Sequence, residues 1–119
     1  MARILLAEDD DSLRAFLTTS LTRAGHDVAG YGDGDSAWEA LEHSSFDLLL
    51  TDIRMPGLDG IELARQARRR YPHLSVLLVT AYAQDALGAP DLGGAGIGVL
   101  SKPFNLNELI DRVETCLPQ

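Results

Sequence analysis

The sequence has little cysteine, little aromatic surface, almost no lysine and a deficit of positive charge. Cys116 is the one cysteine in 119 residues, so neither an internal disulfide nor a cysteine-based zinc site can form. Its reading is a half-buried helix thiol. No stretch approaches the roughly 20 uninterrupted apolar residues that a membrane span requires. Residues 1–7 also lack the charged lead and long apolar run of a secretion signal, so the expected location is the cytoplasm. Ten Lys+Arg against 18 Asp+Glu give a formal charge of −8, and such a surface repels phosphate backbones and anionic lipid. Direct nucleic-acid binding and membrane insertion are therefore not expected. Arg68-Arg69-Arg70 is a local exception, read as a solvated helix end that complements the helix dipole. Linkers, repeats and low-complexity tracts are absent too, and the length predicts one domain over 1–119 without an output domain.

Five short apolar segments are present: 3–7 (RILLA), 28–31 (VAGY), 46–51 (FDLLLT), 74–79 (LSVLLV) and 97–101 (IGVLS). Three are nearly continuous, which is how strands read when both faces of a parallel sheet are covered. Helical patterns lie between them. Asp11 is the expected cap of a helix carrying Leu13, Phe16, Leu17 and Leu21, with Gly25 at its stop. Segments 35–43 and 61–70 fill the next two slots, the second closed by Pro72. Asn105 and Glu108 form a capping-box pattern ahead of Leu106, Leu109, Ile110, Val113 and Leu117. The fourth helix slot, 84–96, contains Gly88, Pro90, Gly93, Gly94 and Gly96, and glycine costs about 1 kcal/mol per helix position, so little helix is expected there. A five-fold βα repeat with right-handed crossovers builds a doubly wound α/β fold, a parallel sheet covered on both faces.

Ligands of open α/β sheets sit outside the carboxyl ends of the strands. Those ends are polar here. The first strand runs into Glu8-Asp9-Asp10, the third into Thr51-Asp52, the fourth into Thr80 and the fifth into Ser101-Lys102-Pro103. Two carboxylates about 4 Å apart repel by about 4 kcal/mol at an effective dielectric near 20, so a Glu8–Asp9–Asp52 cluster requires a cation. Oxygen ligands in this small number suit magnesium. The competing reading is that Asp9 to Asp11 only start a helix. Lys102 weighs against it: beside nine arginines, the sole lysine directly follows a buried strand, where a compact ammonium can meet a phosphoryl oxygen.

Glu8-Asp9 after RILLA, Thr51-Asp52-Ile53-Arg54-Met55-Pro56-Gly57-Leu58-Asp59-Gly60, Thr80-Ala81 and Lys102-Pro103-Phe104 together resemble the full motif set of the response-regulator receiver domain, in order and over the whole chain. Within that family, LLAEDD, the DGIELAR segment and VLSKPF resemble the small stand-alone receivers of the CpdR type. The resemblance implies a flavodoxin-like (βα)5 receiver fold with strand order 2-1-3-4-5. It implies that Asp52 accepts a phosphoryl group from a histidine kinase or histidine phosphotransferase. Glu8, Asp9, Asp52 and the backbone carbonyl of Arg54 would hold Mg2+, and Thr80 and Lys102 would meet phosphoryl oxygens. Such a protein is a phosphoacceptor with self-catalysed phosphorylation and dephosphorylation, not a conventional enzyme. Its output partner would bind through the fourth helix, fifth strand and fifth helix, and the CpdR-type resemblance implies an adaptor acting with an AAA+ protease. A phosphate shuttle in a relay is the alternative output.

Two departures stand out. Val99 occupies the position, three before the lysine, where most receivers carry an aromatic switch residue, so Thr80, backbone motion or Tyr82 must take its place. The glycine-rich 88–96 stretch is expected to order or re-dock on phosphorylation. Arg54 and Tyr82 would overhang Asp52 and tune the phosphoryl lifetime or dock a partner. Alternative functions are a phosphorylation-independent receiver-like binding module and an aspartyl-phosphate phosphohydrolase; the latter needs an acid where Arg54 stands. A flavodoxin-like cofactor binder would carry a Ser/Thr/Gly phosphate loop in place of the four acids 8–11. His26, His43 and His73 lack metal-ligand spacing and are expected to be solvated, and Trp38 to shield the second helix.

Overall fold

Runs of Leu, Ile and Val that offer apolar side chains to both sides can be buried only between two layers of helix, and that is where this chain places them. The structure, a computed structural model, describes residues 2–81 and 97–117. Five strands, β1 (Arg3–Ala7), β2 (Asp27–Tyr31), β3 (Leu48–Asp52), β4 (Ser75–Thr80) and β5 (Ile97–Ser101), form one parallel sheet ordered β2-β1-β3-β4-β5. The described helices are α1 (Asp11–Arg23), α2 (Gly34–His43), α3 (Gly60–Arg70) and α4 (Leu106–Cys116), the last being the fifth helix of the sequence reading. The fourth helix slot, 84–96, lies outside the described residues, as does Tyr82.

Alternation along the strands divides the core. Leu5, Leu49, Val76 and Leu78 pack with Ala37 and Leu41 of α2 and Leu63, Ala64 and Ala67 of α3. Ile4, Leu6, Leu48, Leu50, Leu77 and Val79 face the other way, against Leu17 and Leu21 of α1 and Leu109 and Val113 of α4. Every residue of β3 and β4 is buried, so the most apolar strands take the middle of the sheet and β2 an edge. Both central strands extend one residue past the expected apolar runs, to Asp52 and Thr80. Trp38 packs, half-buried, on the α2–α3 side, as expected.

Short polar side chains start all four helices. Asp10, not Asp11, caps α1: its backbone is extended and its Oδ1 accepts from Leu13 N at 3.0 Å. Asp11 is already helical and pairs instead with Arg14 at 2.7 Å. Asp33 and Asp59 cap α2 and α3, and Asn105 and Glu108 close the expected capping box on α4. Asn105→Ala removes an acceptor from the Glu108 amide and should lower stability by about 1 kcal/mol in a urea titration, without changing the slope.

Gly25, at φ +98°, ends α1 in the left-handed conformation that glycine alone adopts readily. The turn brings His26 under the start of β1, which corrects the expectation of a solvated histidine: His26 is buried, and its Nδ1 accepts from Ala2 N at 3.1 Å. Gly60 is required by contact. A Cβ there would overlap the carbonyl oxygen of Asp52, and one at Gly34 would overlap that of Leu58. The loop after β3 is thus seated against the first turns of α2 and α3. Cys116 is buried, its sulfur 2.7 Å from where a Cβ on Gly98 would sit, and burial pushes its thiol pKa up.

Candidate functional site

Parallel strands end on the same side, so the residues that follow β1, β3, β4 and β5 meet at one rim. Glu8 is the first residue after β1 and is held to the β2 edge by its amide, which donates to Tyr31 O at 3.0 Å. Its carboxylate turns inward and is 1% exposed. Asp52 closes β3, with Ile53 N donating to Val79 O at 3.1 Å to fix the strand end against β4. Lys102 leaves β5 on a cis Lys102–Pro103 peptide, and its amide donates to Thr80 O at 2.8 Å. That bond ties the Lys102 backbone to the buried end of β4, where Thr80 is 1% exposed.

The Lys102 ammonium bridges the two buried acids. Nζ donates to Asp52 Oδ2 at 3.0 Å and to Glu8 Oε1 at 3.3 Å. The second Glu8 oxygen, Oε2, accepts from Asp10 N at 3.1 Å, and Asp52 Oδ1 accepts from Arg54 N at 3.4 Å. Asp9 is exposed at the mouth. Carboxylate oxygens of Glu8, Asp9 and Asp52 lie within 4.8 Å of one another.

This crowding has an electrostatic signature. Burial is the main reason the Glu8 carboxyl is raised from 4.5 to about 7; the Asp52 charge adds to it, while the Asp10 amide and the Lys102 charge oppose it. Burial alone would lower the Lys102 ammonium, but the hydrogen bond to Asp52 and the charges of Glu8 and Asp52 outweigh it and hold the lysine above its ordinary value. A buried acid that favours its proton in the metal-free protein is one that a divalent cation would recharge. The donor set, three carboxylates at the water-facing end of the sheet, fits a hard ion of magnesium type.

The sequence-expected residues Glu8, Asp9, Asp52, Arg54, Thr80 and Lys102 are all at this rim. Tyr82 lies outside the described residues. Val99 is partly buried in β5, and its carbonyl accepts from Arg112 Nη1 of α4 at 2.6 Å. Sequence reasoning missed two arginines: Arg112, and Arg14, whose Nη1 donates to the Glu8 carbonyl at 2.8 Å. For Arg14 the available signal was its place one turn into the helix that follows the acids.

Comparison with known proteins agrees with this geometry. The family profile described as "Response regulator receiver domain" matches residues 4–114. The chain is 46% identical over 117 residues to the response regulator receiver protein CpdR of Brucella abortus, covering 98% of both. It is 38% identical over 112 residues to the response regulator protein FleR of Pseudomonas aeruginosa, covering 94% of this chain but only 24% of FleR. Among solved structures, TrrA of Thermotoga maritima, crystallised in complex with Mg(2+)-BeF, superposes with a TM-score of 0.84 at 28% identity, covering 98% of this chain and 100% of that one.

Proposed function

Since the chain belongs to the response-regulator receiver family, whose members accept phosphate on aspartate from histidine kinases or phosphotransferases, we propose that it is a stand-alone phosphorylation switch with Asp52 as its phosphoacceptor. The observation that carries this reading is the Lys102 ammonium between the Asp52 and Glu8 carboxylates, 3.0 and 3.3 Å away. An Asp52 oxygen attacks the phosphorus of a phosphohistidine. The O–P bond forms as the N–P bond breaks, and the imidazole nitrogen keeps the bonding pair and takes a proton from solvent. Lys102, already beside Asp52, pairs with a phosphoryl oxygen, and the Thr80 hydroxyl donates to another. Glu8, Asp9, Asp52 and the Arg54 carbonyl would hold magnesium, which would supply neutralisation of the phosphoryl charge. Arg54, exposed two residues past Asp52, screens the acyl phosphate from water and tunes its lifetime.

Stand-alone action is supported by the match to CpdR over 98% of both chains. The signal then leaves through a protein partner, on β5, α4 and the segment between Thr80 and Lys102, because both ends of that segment touch the phosphoryl group. An AAA+ protease or its substrate is the proposed partner, with phosphorylation controlling delivery. Val99 has no ring to swing, so coupling runs through Thr80 and the backbone of β5, whose Val99 carbonyl α4 holds through Arg112. Among the described residues no helix is long and apolar enough to cross a membrane, and the proposed location is the cytoplasm.

The deciding measurement is intact mass after incubation with magnesium and a small-molecule phosphodonor, with and without chelator. One phosphoryl adduct that requires magnesium supports the switch. A folded protein with no adduct from either that donor or a phosphohistidine donor would leave a phosphorylation-independent binding module.

A further inference from the structure

The acids that would hold magnesium sit on a turn, and a turn carrying Glu8, Asp9, Asp10 and Asp11 in succession is electrostatically strained. Three hydrogen bonds outside the helix ladder fix it. Glu8 N donates to Tyr31 O at 3.0 Å, Asp10 N donates to Glu8 Oε2 at 3.1 Å, and Arg14 Nη1 donates to Glu8 O at 2.8 Å. The last sets the plane of the Glu8–Asp9 peptide, and that plane sets the direction in which the Asp9 carboxylate leaves the chain.

Arg14 is built into place. Its Nη2 meets Asp11 Oδ1 at 2.7 Å, so the planar fork is held at two points. Its stem crosses β2 and the turn after it where the chain has no side chains: a Cβ on Gly30 would stand 3.5 Å from Cγ and Cδ, and one on Gly32 would stand 3.2 Å from Nη1. Arg14 also differs in kind from the other cation of the site. Lys102 bonds the Glu8 and Asp52 carboxylates themselves and competes with an entering metal, whereas Arg14 bonds a backbone oxygen and Asp11.

We infer that Arg14 is a positioning residue for the cation site, orienting the Glu8–Asp9 turn for magnesium by its bond to the Glu8 carbonyl; the inference rests on the phosphoacceptor reading above. The sign of its effect separates this role from simple electrostatics. Deleting a positive charge near a cation site strengthens cation binding, while loosening groups that orient metal ligands weakens it, typically 10- to 100-fold.

The test is calorimetric titration of Mg2+ into the unphosphorylated chain and its variants. Arg14→Met is expected to bind Mg2+ roughly tenfold more weakly. Arg14→Lys, which keeps the charge but cannot reach Glu8 O and Asp11 together, should fall between. Gly32→Ala keeps the guanidinium and crowds it, and should weaken binding in the same direction by a smaller factor. With a small-molecule phosphodonor, Arg14→Met should raise the magnesium concentration for half-maximal phosphorylation and leave the rate at saturating magnesium unchanged. Gly32→Ala serves as the probe should Arg14→Met fold poorly. Equal or tighter Mg2+ binding in the folded variants overturns the inference while leaving the phosphoacceptor reading intact. A parent chain that binds no Mg2+ overturns both.

Discussion

Asp52→Asn is expected to take no phosphoryl group from any donor that modifies the parent chain, a complete loss read by intact mass. The change is nearly isosteric, so folding is preserved and the lost chemistry is isolated. An amide oxygen is a poor nucleophile, and the amide nitrogen cannot accept the Lys102 ammonium hydrogen bond now made to Asp52 Oδ2 at 3.0 Å. The rim offers other carboxylates, and each has a distinguishing feature. Glu8 is 1% exposed, with Oε1 facing Lys102 and Oε2 facing the Asp10 amide. Asp9 lies exposed at the mouth, while the Lys102 ammonium bonds Glu8 and Asp52. Asp52 has the shorter bond to the ammonium, 3.0 Å against 3.3 Å for Glu8, and is the less buried of those two acids. An adduct that persists in Asp52→Asn would move the phosphoacceptor to another side chain.

The second large effect is on stability. An acid whose folded-state pKa is raised holds its proton more tightly when folded, so it contributes stability at low pH that is lost as pH rises through the folded value. For Glu8 the window runs from 4.5 to about 7. In chelator, the parent chain should lose up to about 3 kcal/mol of Glu8-dependent stability across that window. Glu8→Gln removes the charge and mimics the protonated acid, which likewise offers one carbonyl oxygen to accept from either Lys102 or Asp10. It should therefore be the more stable protein at pH 8 by up to that amount, and nearly equal to the parent below pH 4.5. Lys102 does not confuse the comparison, because its raised pKa keeps its contribution constant until pH exceeds its ordinary lysine value of 10.5. Magnesium should reverse the order at pH 8 by stabilising the parent more than Glu8→Gln. Denaturant titrations at pH 4.5 and 8, with and without magnesium, measure the difference; a parent curve that rises with pH relative to Glu8→Gln would show Glu8 to be charged and well paired without metal.

Much of this was legible in the residue order. A βα repeat makes all strand ends coincide, so Glu8, Asp9, Asp52, Thr80 and Lys102 could be assigned to one rim from the residues that follow four of the five apolar runs. The capping box at Asn105 and Glu108 is legible because its two bonds join residues three apart in the chain. Short-range ambiguity explains the misplaced first cap: Asp10 and Asp11 are equivalent as sequence, and only the backbone decides which is extended and which is helical. His26 was misread because its burial depends on Ala2, 24 positions away.

The sequence by itself thus determined the fold class, the acids and the lysine that share the rim, because periodicity and strand direction are local properties with a global consequence. Only the tertiary structure decided how those groups act on one another. Lys102 meets Asp52 and Glu8 across 50 and 94 residues of chain, Glu8 is driven towards its proton by burial under neighbours that no local pattern names, and Arg14 finds the Glu8 carbonyl through a lane that Gly30 and Gly32 leave open. Desolvation and hydrogen-bond direction depend on the three-dimensional surroundings of each atom, and those exist only once the sheet is assembled.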